Sequence, residues 1–219
     1  MPWLGFFEQL YRSDVFIYYD NAQYTKNDWR NRNRIKGHSE PIWITVPVEY
    51  VFGINIKDIR ISYEHDWMSK HLKTFTQYYG KSPYFCEVVD IIRESYSRKP
   101  DLLISLNVGL IEGIMSYLKL NRKIMMMSDF SISGGKTEKL ANVCEAVGAD
   151  HYYSGEAARE YLETDIFSKK RIEVEFQNYS HPVYRQSYGD FISHLSIVDL
   201  LFNEGPNSGR ILSQIEKAN

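Results

Sequence analysis

Apolar residues return at helical spacing from Leu4 through Phe7, Leu10 and Tyr11, and Pro2 suits the first turn, so the chain opens with a predicted helix. Val15-Phe16-Ile17-Tyr18-Tyr19 is a β-branched and aromatic run between Asp14 and Asp20-Asn21, which reads as a buried strand. In a parallel α/β sheet a strand normally precedes such a helix, so this order predicts a sheet met one strand late. Pro41 to Val48 reads as a strand bounded by prolines, and Ile54 to Ile61 alternates imperfectly and suggests another. Three helical patterns follow, at Trp67 to Tyr79, Pro83 to Tyr96 and about Leu102 to Leu118, the first stopped by Gly80 and Pro83. Lys123 to Met127 reads as a strand, Lys136 to Val147 as a helix ended by Gly148, and His151 to Ser154 as a short strand. Gly155 to Leu162 is then a predicted helix, Ile172 to Gln177 a strand, and Ser196 to Phe202 a final helix closed by Gly205.

With 219 residues and no Pro/Gly/Ser linker, the reading is one α/β domain over 1–219, a Rossmann-like parallel sheet with a helical insertion at about 66–120. The net charge of −2 argues against a nucleic-acid partner. Cys86 and Cys144 form no CxxC pair and no zinc spacing, and read as reduced core thiols of a cytoplasmic protein with no metal. Apolar runs such as Ile124 to Met127 are far too short to span a bilayer, and the N-terminus lacks a signal-peptide pattern. Aromatic residues make up 15% of the chain, so many rings should be half-buried with a polar edge at work.

The strongest local signal is Trp29-Arg30-Asn31-Arg32-Asn33-Arg34-Ile35. In an extended segment Arg30, Arg32 and Arg34 share one face, and Asn31 and Asn33 share the other. Guanidinium forks match phosphate or carboxylate oxygens, and Asn amides both donate and accept, as a sugar or base requires. A solvated loop with local ion pairs is the equal alternative. Asp20 and Gln23 directly follow a strand, where α/β sheets place polar site residues, although a simple turn explains them as well. Trp67 and His71 are helical neighbours, and Lys70, Thr74, Gln77 and Lys81 make a polar stripe that is ordinarily a solvated face. His181-Pro182-Val183-Tyr184-Arg185-Gln186 offers a titratable ring and an amide in a loop, with packing of His181 against Tyr184 as the plainer reading. Ser133-Gly134-Gly135-Lys136-Thr137 is not a P-loop, because Phe130 stands where that loop needs glycine. Ser196 to Asp199 looks like a capping box with Asp in place of Glu.

Taken in order, these segments resemble the WbqC-like family of bacterial proteins found with surface-polysaccharide genes. The resemblance rests on Pro2-Trp3-Leu4-Gly5-Phe6-Phe7, Tyr19-Asp20-Asn21-Ala22-Gln23-Tyr24, Asn31-Arg32-Asn33-Arg34-Ile35 and Trp43 to Val48. It continues through Trp67 with Lys70-His71, Pro83-Tyr84-Phe85, Tyr153-Ser154-Gly155, His181-Pro182-Val183-Tyr184 with Gln186, and Leu195 to Asn203. Family members begin with a short strand and a His-Gln-Pro segment, whereas this sequence starts at Met1-Pro2-Trp3. Asn21 stands where relatives often carry a second Asp, which argues against a paired-carboxylate metal site. The resemblance implies a role in O-antigen or other surface-polysaccharide synthesis, with transfer of a glycyl or other amino-acyl group as the suggested chemistry. The family's start is similar to that of HIGH-type nucleotide-binding enzymes, which makes ATP the cofactor to test.

The resulting expectation is a transferase acting on an amino sugar carried by a nucleotide. Arg32 and Arg34 would hold phosphates, Asn31 and Asn33 would select sugar or base, and Gln23, Trp67, His181 and Gln186 would line the substrate. Asp20 or His71 would manage a proton, since amide formation needs a neutral amine, and Lys70 would stabilise developing charge. The alternatives are an adenylating ligase or nucleotidyltransferase, and a non-catalytic binding or scaffold protein. Donor, acceptor and oligomeric state are left open.

Overall fold

The computed structural model describes residues 1–214. Its elements run α1 (Leu4–Arg12), β1 (Val15–Tyr18), β2 (Arg32–Lys36), β3 (Pro41–Thr45), β4 (Val48–Glu49), β5 (Arg60–Ile61), α2 (Trp67–Tyr79), α3 (Phe85–Ser97) and α4 (Leu103–Tyr117). They continue as β6 (Lys123–Met126), α5 (Lys136–Ala146), β7 (His151–Ser154), α6 (Thr164–Lys169), β8 (Glu173–Phe176), α7 (Ile197–Glu204) and α8 (Ser208–Gln214). The chain is mixed α/β, and the four sheets among the described residues are each two strands wide. The β1–β6 and β7–β8 ladders are parallel, and the β2–β3 and β4–β5 ladders are antiparallel.

The residues group into two compact units. The first takes residues 1–8, 20–121 and the described residues from 181 onward. At its centre lies α7, whose Ile197, Val198, Leu200, Leu201 and Phe202 are fully buried. A helix buried on every side belongs in a core, and its polar residues Asp199 and Asn203 are buried with the rest. The Phe202 ring stacks on Tyr79 of α2 with centroids 4.6 Å apart, and meets Phe75 and Phe85 at 5.8 and 5.6 Å. Gly205 ends α7 at φ +52°, and a Cβ there would fall 2.4 Å from the Tyr84 ring, so both conformation and space require glycine. The chain then forms a 3-10 turn and α8, which the sequence pattern did not suggest.

Asp199 corrects another expectation. It is not a helix cap: it is fully buried, and its two carboxylate oxygens accept from Tyr79 Oη at 2.7 Å and Tyr184 Oη at 2.8 Å. Ser196, at the capping position, turns its hydroxyl to the carbonyls of Met1 and Pro2 instead. Burial pushes the Asp199 carboxyl up, while the two tyrosine hydroxyls and the Lys36 charge work against that rise. Lys36 is likewise lowered by burial and supported by Asp199. Its Nζ donates to Gln186 Oε1 at 2.9 Å, and Gln186 Nε2 donates to Tyr184 Oη at 3.2 Å, so the polar groups close into one network.

The second unit takes residues 9–19 and 122–180. Its core gathers Ala141 and Cys144 of α5 with Leu162, Phe167 and Ile172, and Tyr152 of β7 stacks on Phe167 at 4.9 Å. Burial raises the Cys144 thiol to about 11, so it stays protonated and inert, as a core thiol should. Ile54 to Ile61, read above as a strand, is instead a 3-10 turn over Ile56–Asp58 followed by the two residues of β5. Its alternation is met by burial of Ile56, Ile59 and Ile61 without an extended backbone. Gly155 to Leu162 forms a 3-10 helix over Glu156–Glu160 in place of an α-helix.

Candidate functional site

The Arg/Asn run enters β2 only from Arg32 onward, where the period of two sets Asn33 opposite Arg32 and Arg34, whereas Trp29, Arg30 and Asn31 form a turn ahead of the strand and not the extended segment expected. Arg34 pairs across the ladder with Trp43 of β3. The Arg32 and Arg34 guanidiniums lie 4.4 and 5.9 Å from the Trp43 ring centroid. Trp29 approaches the same ring at 6.2 Å, and the two tryptophans are 51% and 47% exposed. That leaves a basic, aromatic platform open to solvent, and neither Arg32 nor Arg34 forms an ion pair with a described acid. Arg30 differs, because Asp28 engages its Nη1.

The other face turns inward. Asn31 Nδ2 donates to the Val46 carbonyl at 3.1 Å, and Asn33 Nδ2 donates to the Met1 carbonyl at 3.0 Å. Behind them sits a small cavity of about 20 Å3, room for roughly one water. Asn31, Arg32, Asn33, Tyr96 and Asn107 are among its lining residues. Asn107 Nδ2 donates to the Arg30 carbonyl at 2.9 Å, which ties α4 to the start of β2.

His71 reaches this cavity only through a neighbour. Its Nε2 lies 3.0 Å from the Thr45 carbonyl, which can only accept, so Nε2 carries the proton. Nδ1 therefore accepts from Tyr96 Oη at 3.0 Å. Trp67 packs edge-on against both rings, at 5.2 Å from His71 and 5.0 Å from Tyr96. Burial raises the Tyr96 hydroxyl well above its ordinary value and lowers the His71 imidazole to about 4. Both groups are thus neutral at pH 7, joined by a hydrogen bond across which burial disfavours proton transfer.

The His71 shift has a stability consequence. An unfolded histidine protonates near pH 6.5, so between that value and about 4 the unfolded chain binds a proton that the folded one refuses. The stabilisation is complete above about pH 6.5 and is lost as pH falls towards 4, by at most roughly 3 kcal/mol. Urea midpoints measured between pH 7 and pH 4.5 should fall less steeply for His71→Gln than for the parent. Equal slopes would contradict the assignment.

Five buried side-chain atoms find no hydrogen-bond partner among the described residues: Tyr24 Oη, Asn31 Oδ1, Arg32 Nε, Arg34 Nε and Trp67 Nε1. Asn31 and Arg32 share the cavity, Arg34 shares the tryptophan platform, and Trp67 abuts Tyr96. Tyr24 sits within electrostatic reach of Arg30 and Arg32, and its hydroxyl is raised to about 12 mainly by burial. Buried polar groups are almost always satisfied, so this grouping marks a place that a polar ligand or ordered water completes.

The remaining expected site residues lie elsewhere. Asp20 is buried, and its carbonyl accepts from the Lys57 amide at 2.9 Å. Gln23 is exposed and bridges to Asn55. Lys70 is exposed on the outer stripe of α2, one residue from the inward-facing His71. His181 stacks on His194 at 4.8 Å within the 181–194 loop, and burial and then the His194 charge lower its imidazole to about 4. Gln186 is bound at both ends of its amide, since Oε1 also accepts from the Ile192 amide at 2.9 Å and Nε2 donates to the Ile192 carbonyl at 2.8 Å. None of these five lines the cavity behind β2. Trp43, Tyr96 and Asn107 were not singled out from sequence as site residues. Only Trp43, beside the Arg/Asn run in an adjacent strand, left a signal that register could have turned into a contact.

Among the described residues no group of His, Cys, Asp and Glu could hold a metal ion. No described helix is long and apolar enough to cross a membrane. No solved structure matches the chain. The uncharacterized protein Rv1507c of Mycobacterium tuberculosis (strain ATCC 25618 / H37Rv) is 38% identical over 209 residues, which cover 94% of this chain and 90% of the relative. The model of the WbqC-like protein family matches residues 1–211, and so spans the Arg/Asn strand, the Tyr96–His71 pair and the buried Asp199 alike: the chain belongs to the WbqC-like protein family.

Proposed function

We infer that the chain is a transferase of bacterial surface-polysaccharide synthesis that binds a nucleotide-linked amino sugar at β2 and β3 and adds a glycyl or other amino-acyl group to it. The observation that carries this reading is the grouping of all five unpartnered buried polar atoms around β2 and α2. Arg32 and Arg34 offer guanidinium forks to a diphosphate, and Trp29 and Trp43 offer ring faces to a base or sugar. Asn31 and Asn33 face away from that platform and brace the strand from behind, beside a cavity with room for about one water. The proton that the amine loses departs with the leaving group of an activated acyl donor, and the hydrogen-bonded Tyr96–His71 pair positions β2 from behind. Asp20 and Lys70 stand outside the cavity lining, and the proposal gives them no step. A Rossmann-like sheet of the HIGH type belongs to the same reading, supported by the two parallel ladders.

A thermal-shift panel tests it, with UDP-N-acetylglucosamine, a UDP-linked amino sugar bearing a free amine, ATP and glycine, singly and in pairs. A ligand at about 100 times its dissociation constant adds roughly 2.7 kcal/mol. The expected result is a shift with the nucleotide sugars and a larger one for the free-amine sugar. A shift with ATP alone would replace this reading with an adenylating ligase, and no shift at all would favour a scaffold.

A further inference from the structure

In the loop that follows β4, Val51 and Phe52 stand side by side and are 67% and 84% exposed. The Ile54 amide donates to the Val51 carbonyl at 3.2 Å and closes a tight turn, with Gly53 at φ +84°. A Cβ at Gly53 would meet no atom within 4 Å, so the tip stands clear of the rest of the chain. Its base is braced. The Tyr24 amide donates to the Ile54 carbonyl at 2.8 Å and the Ile56 amide to the Ala22 carbonyl at 2.9 Å, while the Tyr24 and Tyr50 rings lie 6.0 Å apart. Tyr24 and Ile56 are buried, so two bare apolar side chains are held outward on a support anchored in the core of the first unit.

The surroundings of this tip are basic in a chain whose net charge is −2. The two segments that meet at its base, residues 20–34 and 50–57, carry Lys26, Arg30, Arg32, Arg34 and Lys57 against Asp20 and Asp28 alone. Asp20 is buried, and Asp28 is engaged by Arg30. At the borders Glu49 faces Arg60 across the β4–β5 ladder and Asp58 adds one negative charge, so the excess stays positive. Lys26 is exposed, and its Nζ lies 5.5 Å from the ring centroid of Tyr50, the residue directly before the apolar pair. An apolar point beside cations and aromatic rings matches an anionic lipid surface. The apolar side chains enter the acyl boundary, while Lys and Tyr keep their polar ends among the headgroups. A protein partner fits less well, because a stable interface takes about 800 Å2 from each side and two side chains on a projecting turn supply a fraction of that.

We propose that the Val51-Phe52 tip inserts into the interface of an anionic bilayer, with Lys26 and Lys57 on the lipid headgroups, so that the protein docks on a membrane surface without spanning it. The attachment is shallow and reversible, and it takes both parts: the apolar pair alone holds weakly to a neutral surface, and the lysines alone give only a salt-sensitive attraction. It is independent of which ligand β2 and β3 hold.

The test is co-sedimentation of the whole protein with sucrose-loaded vesicles, of phosphatidylcholine alone or with about one-third phosphatidylglycerol. The parent should partition onto the anionic vesicles at least about tenfold more strongly than onto the neutral ones, and added salt should weaken it. Val51→Ser with Phe52→Ser should lower that partition about tenfold or more, with a thermal melt like the parent's because both side chains are exposed. Lys26→Glu with Lys57→Glu should lower it about tenfold on anionic vesicles and leave neutral vesicles unaffected. Arg93→Glu with Arg98→Glu, a reversal of the same size elsewhere on the surface, should change it far less. In Phe52→Trp, tryptophan emission should move to shorter wavelength when anionic vesicles are added. A parent that stays in the supernatant with anionic vesicles would overturn the proposal and leave the tip to a protein partner. Full partition of the serine variant, equal loss in the Arg93/Arg98 variant, or unshifted emission from Phe52→Trp would each overturn it as well.

Discussion

Asp199→Ala is expected to cost about 3–5 kcal/mol, the range for removing one member of a buried charged network. The loss is not that of one contact. Tyr79 Oη and Tyr184 Oη both lose their acceptor, and Lys36 keeps a buried positive charge whose opposing carboxylate is gone. In a chain of this size that corresponds to a fall of about 10 °C in Tm. Asp199→Asn should cost less than half as much, because the amide keeps an acceptor for one tyrosine and because burial already disfavours the charged carboxyl. Thermal melts at pH 7 compare the two variants. An Ala variant as stable as the Asn variant would show that the carboxylate is not the hub.

The second large effect falls on binding and spares the fold. Arg32→Ala combined with Arg34→Ala should weaken a nucleotide sugar at least 100-fold, since two charge-assisted hydrogen bonds at about 1.5–3 kcal/mol each are lost. Stability should drop by only about 1–2 kcal/mol, because both guanidiniums stack on Trp43 and neither pairs with a described acid. Arg32→Lys with Arg34→Lys keeps the charge and loses the planar fork, and should recover little of the affinity if the ligand presents phosphate oxygens in pairs. Isothermal titration against UDP-N-acetylglucosamine reads the affinities. Affinity unchanged in the Ala double variant would remove these arginines from the site.

Much of this was written in local pattern. The period-two separation of Arg32 and Arg34 from Asn33 is visible in consecutive residues, and β2 realises it, while Asn31 falls in the turn before the strand. Trp67 to Tyr79 is a helix in pattern and in fact, because its N-cap Asp66 and its apolar face agree. The legibility ends where a partner lies far along the chain. Asp199 reads as a cap because Ser196 stands three residues before it, and nothing nearby reveals that Tyr79, 120 positions earlier, will claim its carboxylate. Gln186 reads as a free amide until Lys36 arrives from 150 positions away. Tyr96 looks like one core aromatic among many, and its hydroxyl matters only because α2 brings His71 beside it. Local rules locate elements and faces, and the buried polar connections depend on tertiary pairing.

The account stands on the unpartnered atoms around β2 being the contacts of a ligand. The most direct measurement is NMR of those side chains, following the Arg32 and Arg34 Nε–H signals and the Trp67 indole N–H while UDP-N-acetylglucosamine is added. The account predicts that these signals move together and saturate at one dissociation constant, with exposed Arg93 of α3 and Arg98 just past its end unmoved as controls. Signals that stay in place while the sugar nucleotide binds, or that move no more than those of Arg93 and Arg98, would contradict it.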